Sequence, residues 1–420
     1  MKTTLTELAQ NPSCMDDYDP NAMSVAQART FIQQFLEPVT ETVTLPLRES
    51  LGRVLATDII SPCNVPNHNN SAMDGYAFKF SEGVKIAKVI GTAYAGRPFD
   101  GAVKAGECVS IMTGAVIPHG ADTVVMQEHI AIKSDSITLL EPPIHGANVR
   151  LAGEDLKLGQ TVLATGNVMK PADLGLIASL GIGEVTVFRK LKVAFFSTGD
   201  ELVSIGQPLQ EGQIFDSNRY TLYGMLTRLG LEISDLGNVP DDPVKLENTL
   251  LQAAQNNDVV ITSGGVSVGE ADYMKALLAK HGQVLFWKIN IKPGRPLAYG
   301  KISQAHYFGL PGNPVSAMVT FYQFVQPALQ ALSGAAFQAP VLLQAKCVSP
   351  IKKTPGRMEF QRGILFQAQD GSYQVKTTGN QGSGILSSMS AANCFIILDE
   401  ATGNCAAGGT VNVQLLHGII

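Results

Sequence analysis

Hydrophobic and polar residues along the chain fall into several textures, and each predicts a different kind of structure. Residues 1–23 show little apolar periodicity and end in Asp16-Asp17-Tyr18-Asp19-Pro20, which predicts a flexible N-terminal arm. Ser24 is placed as an N-cap before Val25-Ala26-Gln27-Ala28, and the helix it starts should run to about Leu36, ahead of Pro38. Leu45-Pro46-Leu47, a helical turn over Arg48 to Gly52, and Val54-Leu55-Ala56 complete an entry module. From Ser61 the pattern breaks into short apolar segments, Val84 to Ile90, Cys108 to Met112 and Thr123 to Gln127, with Gly and Pro between them. That spacing predicts a β-rich insertion over 62–150. Asn148 to Asp155 then return the chain to its entry module, where Leu174 to Leu180 read as a helix stopped by Gly181-Ile182-Gly183. The entry domain is therefore discontinuous, made of 24–61 and 151–189.

Residues 190–338 alternate differently. A strand at Val193 to Phe196, a helix from Arg219 to Leu229, a strand near Glu232 to Leu236, a helix from Asp242 to Ala254 and a strand from Val259 give βαβ alternation. Such alternation predicts a mostly parallel sheet covered by helices, with ligands gathering at the carboxyl ends of its strands, near Glu201, Asp241 and Asp272. Residues 339–420 are all-β again, with strands at Val341 to Val348, Phe360 to Leu365, Tyr373 to Thr377, Cys394 to Leu398 and Val411 to Leu415, and predict a barrel-like domain. The fold class is multidomain α/β plus β.

Within the βαβ region, Val259 to Tyr273 reads as strand, loop, helix, with adjacent glycines Gly264 and Gly265 for a tight turn. Helix N-terminal N–H groups there favour phosphate, yet Glu270 and Asp272 would repel it. A bridging Mg²⁺ resolves the conflict, since Mg²⁺ is held by a few carboxylates together with substrate phosphates. An ordinary βα turn with an acidic helix start suits the same residues. The acidic candidates are Asp74, Asp155, Glu201, Asp241, Asp242, Glu270 and Asp272, each in or beside a polar or glycine-containing loop, where Asp is also a common turn or cap residue. Opposite in charge is Trp287 to Pro296, read as one alternating strand that projects Lys288 and Lys292 to one face, with Arg295 after a Pro-Gly turn. Two lysines and an arginine can hold a tetrahedral oxyanion, or can simply be a solvated strand. Gly309 to Ala317, through Pro311 and Pro314, forms a rigid corner into a helix from Ala317 to Leu332 and suits backbone recognition.

Composition narrows the classes. At ~150 residues per domain the 420 residues call for about three domains, and 41 glycines with 22 prolines fit a turn-rich globular chain. The net charge of −5 offers no long-range attraction to nucleic acid or acidic membranes, so any anion is captured locally. Six scattered cysteines without metal-ligand spacing, no opening signal peptide and no apolar run of ~18 residues fit a cytoplasmic protein. No nucleophile–base pair stands out.

Several long motifs in one order then resemble a known family: Asn70 to Ala77, Arg150 to Asp155, Phe196 to Leu202, Thr262 to Tyr273, Lys288 to Pro296, Leu310 to Ala317 and Lys353 to Arg357. The chain resembles the molybdopterin molybdenumtransferases, related to the C-terminal portion of gephyrin, from about Ser24 to its end. The resemblance implies insertion of molybdate into adenylylated molybdopterin, with Mg²⁺-dependent release of AMP. It implies catalytic roles for Asp74, Asp155, Glu201, Asp241 and Asp272, with Glu201 and Asp272 at the metal. It further implies substrate contacts from Thr113, Arg150, Ser263, Gly264, Gly265, Ser267, Lys288, Lys292, Arg295, Pro311, Pro314 and Ser383. An elongated four-domain homodimer with its cleft between subunits is expected, as are contacts with the molybdopterin adenylyltransferase and with molybdoenzyme maturation factors. Residues 1–23 fall outside the shared pattern, and Arg295 stands where the family often has lysine in KPGKP. A non-catalytic scaffold of the same fold is the alternative reading, although the retained carboxylates and lysines argue against it. An adenylylating enzyme is a second one, which the insertion and the C-terminal β domain disfavour.

Overall fold

In the computed structural model, which describes residues 22–265 and 273–416, the strand Lys192–Thr198 and the strand Val259–Ser263 lie side by side at the centre of a six-stranded sheet. Across this sheet the order is Glu232–Val239, Lys192–Thr198, Val259–Ser263, Ala305–Leu310, Pro296–Ile302 and Gly282–Lys288. The first four run parallel, and Pro296–Ile302 turns back antiparallel to Ala305–Leu310. Side chains alternate across the pleat, so Val193, Phe195, Val259 and Ile261 enter one core while Ala194, Phe196 and Val260 enter another on the opposite face. The helices Ser217–Arg228 and Pro314–Thr320 cover the first face; Pro243–Asn256 and Tyr273–His281 cover the second. Burial on both faces explains why these strands read as continuous apolar runs.

The helix Val25–Gln33 joins the first face through Val25, Ala28 and Ile32. Its start is a capping box: Ser24 Oγ accepts from the Gln27 amide at 3.2 Å while the Ser24 amide donates to Gln27 Oε1 at 2.9 Å. It stops three residues short of Leu36 because the chain tightens into i→i−3 bonds, Phe35 N to Ile32 O and Leu36 N to Gln33 O. The expected single helix from Ala317 to Leu332 is interrupted by a π-helical turn at Phe321–Val325 between Pro314–Thr320 and Gln326–Leu332.

The C-terminal strands close into a barrel in the order Met358–Gln367, Tyr373–Thr377, Leu342–Cys347, Thr410–Leu415, Cys394–Leu398 and back to Met358–Gln367. A sixth, two-residue strand, Ile291–Lys292, is laid onto Met358–Glu359 from outside the barrel. This corrects one expectation. Trp287 to Lys292 is not one strand: Gly282–Lys288 belongs to the α/β sheet and Ile291–Lys292 to the barrel sheet. The switch falls at Asn290, whose amide donates to Met23 O at 2.8 Å and whose carbonyl accepts from the Met358 amide at 2.9 Å.

These elements, residues 22–43, 52–54 and 188–416, form one compact unit, and residues 44–51 and 55–187 form another. In the second, six strands are ordered Thr123–Met126, Gly75–Phe78, Glu107–Ile111, Ile86–Ala93, Ser136–Leu139 and Ile130–Lys133 around a core that includes Ala77, Val109, Ile111 and Val124. The helix Pro171–Ser179 starts earlier than expected, with Pro171 at its first position, where the missing N–H costs nothing. Among the described residues no helix is long and apolar enough to cross a membrane.

Candidate active site

The carboxyl end of the parallel sheet opens into a cavity of about 690 Å³, within the range of small-molecule sites. Four strand ends form one wall. After Lys192–Thr198 come Gly199 and Glu201, and after Glu232–Val239 comes Asp241, both carboxylates exposed at the rim. The Thr198 hydroxyl donates to Asp241 Oδ1, and the Asp241 amide donates to Asp200 Oδ1 at 3.2 Å. Gly264 and Gly265, at the end of Val259–Ser263, have φ of +92° and +65°, conformations that favour glycine. Pro311 and Gly312 follow the strand Ala305–Leu310. Asn218, almost fully buried, pins two of these loops from behind, with Nδ2 donating to Ser263 Oγ and to Gly312 O, both at 2.7 Å.

The opposing wall is cationic and comes from the crossing segment and the barrel. Lys292 and Arg295 face the cavity, as do Arg357, Gln381 and Ser383. Arg362, 1% exposed, holds the Gln381–Ser383 loop: its backbone amide donates to Gln381 Oε1 at 2.7 Å, Nη2 to Gly382 O at 3.0 Å and Nε to Ser388 Oγ at 3.0 Å. Burial pushes its guanidinium down to about 10. The Ser383 carbonyl accepts from the Val315 amide at 3.0 Å, which fixes this loop to the start of the helix Pro314–Thr320.

Of the residues singled out in the sequence, this cavity gathers Glu201, Asp241, Gly264, Gly265, Lys292, Arg295, Pro311 and Ser383. Ser263 and Pro314 support its edges from the adjoining backbone, and Lys288 ends the α/β edge strand without lining the cavity. Asp74, Thr113, Arg150 and Asp155 belong to the second unit, all exposed. There Asp74 Oδ1 accepts from the Thr113 amide at 2.7 Å and its hydroxyl at 2.8 Å, bonds that hold the Asp74 carboxyl below its ordinary range. Arg150 pairs with Asn70 in a two-residue ladder, and the Asp155 amide donates to Val65 O. Ser267, Glu270 and Asp272 lie outside the described residues. Among the described residues no group of three His, Cys, Asp or Glu side chains is arranged to hold a metal. Thr198, Asn218, Arg357, Gln381 and Arg362 were not singled out as site residues; Thr198 lies within the Phe196 to Leu202 motif and Arg357 closes the Lys353 to Arg357 motif, whereas Asn218 in the helix Ser217–Arg228, Arg362 within the strand Met358–Gln367 and Gln381 in a loop carry no sequence signal of their own.

A parallel α/β sheet with glycine turns and carboxylates at its carboxyl end, faced by a cationic barrel loop, defines an α/β protein that takes a charged ligand beyond its strand ends. Family comparison is more specific. Residues 23–181 match the MoeA N-terminal region (domain I and II), 194–331 a probable molybdopterin binding domain, and 344–416 the MoeA C-terminal region (domain IV). The molybdopterin molybdenumtransferase of Haemophilus influenzae is 47% identical over 396 residues, 93% of this chain and 98% of that protein. The one from Nostoc is 35% identical over 91% of this chain and 90% of its own length. The crystal structure of the molybdopterin biosynthesis moeA protein from Pyrococcus horikoshii OT3 superposes with a TM-score of 0.82 at 31% identity, over 94% of this chain and all of that one. The chain belongs to the molybdopterin molybdenumtransferase family, transferases of molybdenum cofactor synthesis.

Proposed function

We propose that the cavity at the carboxyl end of the α/β sheet is where this protein exchanges an oxygen of molybdate for the dithiolene of adenylylated molybdopterin and releases AMP. The observation that carries the reading is the division of charge within that cavity: Glu201 and Asp241 on the sheet side, Lys292, Arg295 and Arg357 on the other. Molybdate is a dianion with four oxygens. An ammonium and a guanidinium can hold it through charge-assisted hydrogen bonds while leaving an oxygen free to leave. The backbone of Gly264, Gly265 and Gly312 offers close approach to the pterin and phosphate portions, with no side chain in the way.

The carboxylates suit Mg²⁺, a hard cation that takes oxygen ligands. One oxygen of Asp241 is occupied by the Thr198 hydroxyl, so the other is available to a cation, and Glu201 stands with Asp272 as the pair assigned to the metal by family resemblance. When bound, Mg²⁺ would offset the phosphate charge that develops as AMP leaves. Asp74, Thr113, Arg150 and Asp155 are exposed side chains suited to complete the cavity of another copy in a homodimer. The same reading has the adenylylated substrate handed over by the adenylyltransferase, and the product passed to maturation factors, in the cytoplasm.

The test incubates the full chain with adenylylated molybdopterin, molybdate and Mg²⁺, and follows both AMP and active cofactor. Lys292→Ala is expected to raise the molybdate requirement, with partial recovery at excess molybdate. Turnover without Lys292 at unchanged molybdate dependence would remove the lysine from the oxyanion site.

A further inference from the structure

Glu359 is a carboxylate that nothing in the transfer reaction uses, yet it lies directly behind the cationic wall. It sits opposite Lys292 in the parallel pairing of Ile291–Lys292 with Met358–Glu359. Its side chain is 4% exposed, while that of Lys292 is 48% exposed and lines the cavity. Both carboxylate oxygens are occupied. Oε1 accepts from Lys292 Nζ at 3.0 Å, and Oε2 from Gln361 Nε2 at 2.9 Å. Gln361 is itself fixed, since the same Nε2 donates to Lys352 O at 3.0 Å. A second ammonium lies close by: Lys353, almost fully buried, has its Nζ directed at the Thr402 carbonyl at 2.8 Å and at those of Thr354 and Glu400 at 3.4 Å.

A carboxylate removed this far from water is stable as an anion only when cations and donors face it, and here they do. The consequence for Lys292 is twofold. Its flexible four-carbon stem is held at the cavity wall by a partner that cannot move, because Glu359 is part of the barrel ladder, paired with Leu398 on its other side. Its charge is also partly offset on the side away from the cavity. A dianion facing an uncompensated lysine, with Arg295 and Arg357 in the same wall, would be held strongly in the ground state, and ground-state grip does not speed transfer.

We infer that Glu359 is a positioning residue for molybdenum transfer: it holds the Lys292 ammonium at the cavity and attenuates it, so that the oxyanion is bound in register but loosely enough to exchange. This rests on the assignment of Lys292 to the oxyanion. The counter-intuitive consequence is that removing the carboxylate tightens anion binding.

Molybdate alone is titrated calorimetrically into the full-length protein, comparing wild type with Glu359→Gln, Glu359→Asp, Lys292→Ala and the Glu359→Gln/Lys292→Ala double variant. Glu359→Gln is expected to bind molybdate about tenfold more tightly than wild type, with slower turnover at saturating substrate. Glu359→Asp, which keeps the charge one methylene short, is expected to lie between the two. In the Lys292→Ala background the effect of Glu359→Gln should disappear. Weaker binding in Glu359→Gln, or the same fold-change in both backgrounds, overturns the proposal.

If Lys292→Ala alone leaves the titration unchanged, the oxyanion assignment fails, and the pair is judged by a readout independent of molybdate. Reductive methylation of Lys292, followed by peptide mass spectrometry, should be several-fold faster in Glu359→Gln if the carboxylate holds the ammonium. An unchanged rate refutes the positioning role. The same labelling on Glu359→Asp serves if Glu359→Gln does not fold.

Discussion

Gly264→Ala and Gly265→Ala separate two physical costs that the turn after the central strand combines. At Gly264 the backbone has φ +92°, and an added Cβ would overlap the carbonyl oxygen of Thr198. That oxygen cannot retreat, because the strand Lys192–Thr198 is paired with Val259–Ser263 on one side and with Glu232–Val239 on the other. Nor can residue 264 move away, since its amide donates to Leu310 O at 3.1 Å. A left-handed conformation costs an alanine ~1–2 kcal/mol, and overlap with a fixed backbone atom adds ~1–3 kcal/mol, so Gly264→Ala should lose roughly 2–5 kcal/mol. At Gly265, φ +65°, the new Cβ would meet Met274 Cγ at 2.7 Å and Thr198 Cγ2 at 3.0 Å. These are side-chain atoms rather than a backbone carbonyl, so part of the overlap can be relieved by repacking the buried Met274, and the cost should exceed the conformational ~1–2 kcal/mol by less than at Gly264. Urea unfolding followed by the fluorescence of Trp287, the one tryptophan and part of the same sheet, measures both. Gly264→Ala should unfold at clearly lower urea and lose molybdopterin binding. Equal midpoints for the two variants, or a Gly264→Ala loss under about 0.5 kcal/mol, would refute the reasoning.

Burial pushes the His306 imidazole from 6.5 down to about 4, so it is neutral in the fold and protonates more readily when unfolded. Stability should therefore fall as pH drops from about 6.5 toward 4, by up to about 3 kcal/mol, and His306→Gln should flatten that slope in urea titrations; an unchanged slope refutes the assignment. Arg362→Met should free the Gln381–Ser383 loop, cost roughly 2–4 kcal/mol and weaken molybdate binding at least tenfold, with faster hydrogen exchange at Gly382 and Ser383 as the check. Burial pushes the thiols of Cys108, Cys347 and Cys394 up to about 12, so iodoacetamide at pH 8 should label the partly exposed Cys63 ahead of these three by peptide mapping. Early labelling of Cys108 would contradict that order.

The α/β sheet was legible because strands buried on both faces appear as short apolar runs between helix-period segments, and its carboxyl ends then located Glu201 and Asp241. The first helix was legible at its start, where Ser24 and Gln27 cap each other, and less so at its end, where no glycine marks the stop. The crossing at Asn290 was not legible. Ile289 and Ile291 are both buried, so the apolar alternation continues unbroken while the backbone leaves one sheet for another through hydrogen bonds to Met23 and Met358. The helix Leu386–Ala391 was missed because half of it is serine, which carries no helical signal. Arg357 and Gln381 lie in loops, where position is set by tertiary contacts and no periodicity records it.

The strand Ile291–Lys292 also bears on the order of synthesis. It leaves the ribosome long before its partner, since Lys292 and Glu359 are 67 residues apart, so the nascent α/β domain must carry a short unpaired edge until the barrel emerges. A bare edge invites association with other chains, and this one is limited by being two residues long, ending in a lysine and followed at once by Pro293. When Met358 and Glu359 arrive, the barrel is not docking onto a finished domain but completing a ladder already begun. Residues 339–416 made alone would therefore lack the neighbour of Met358–Glu359.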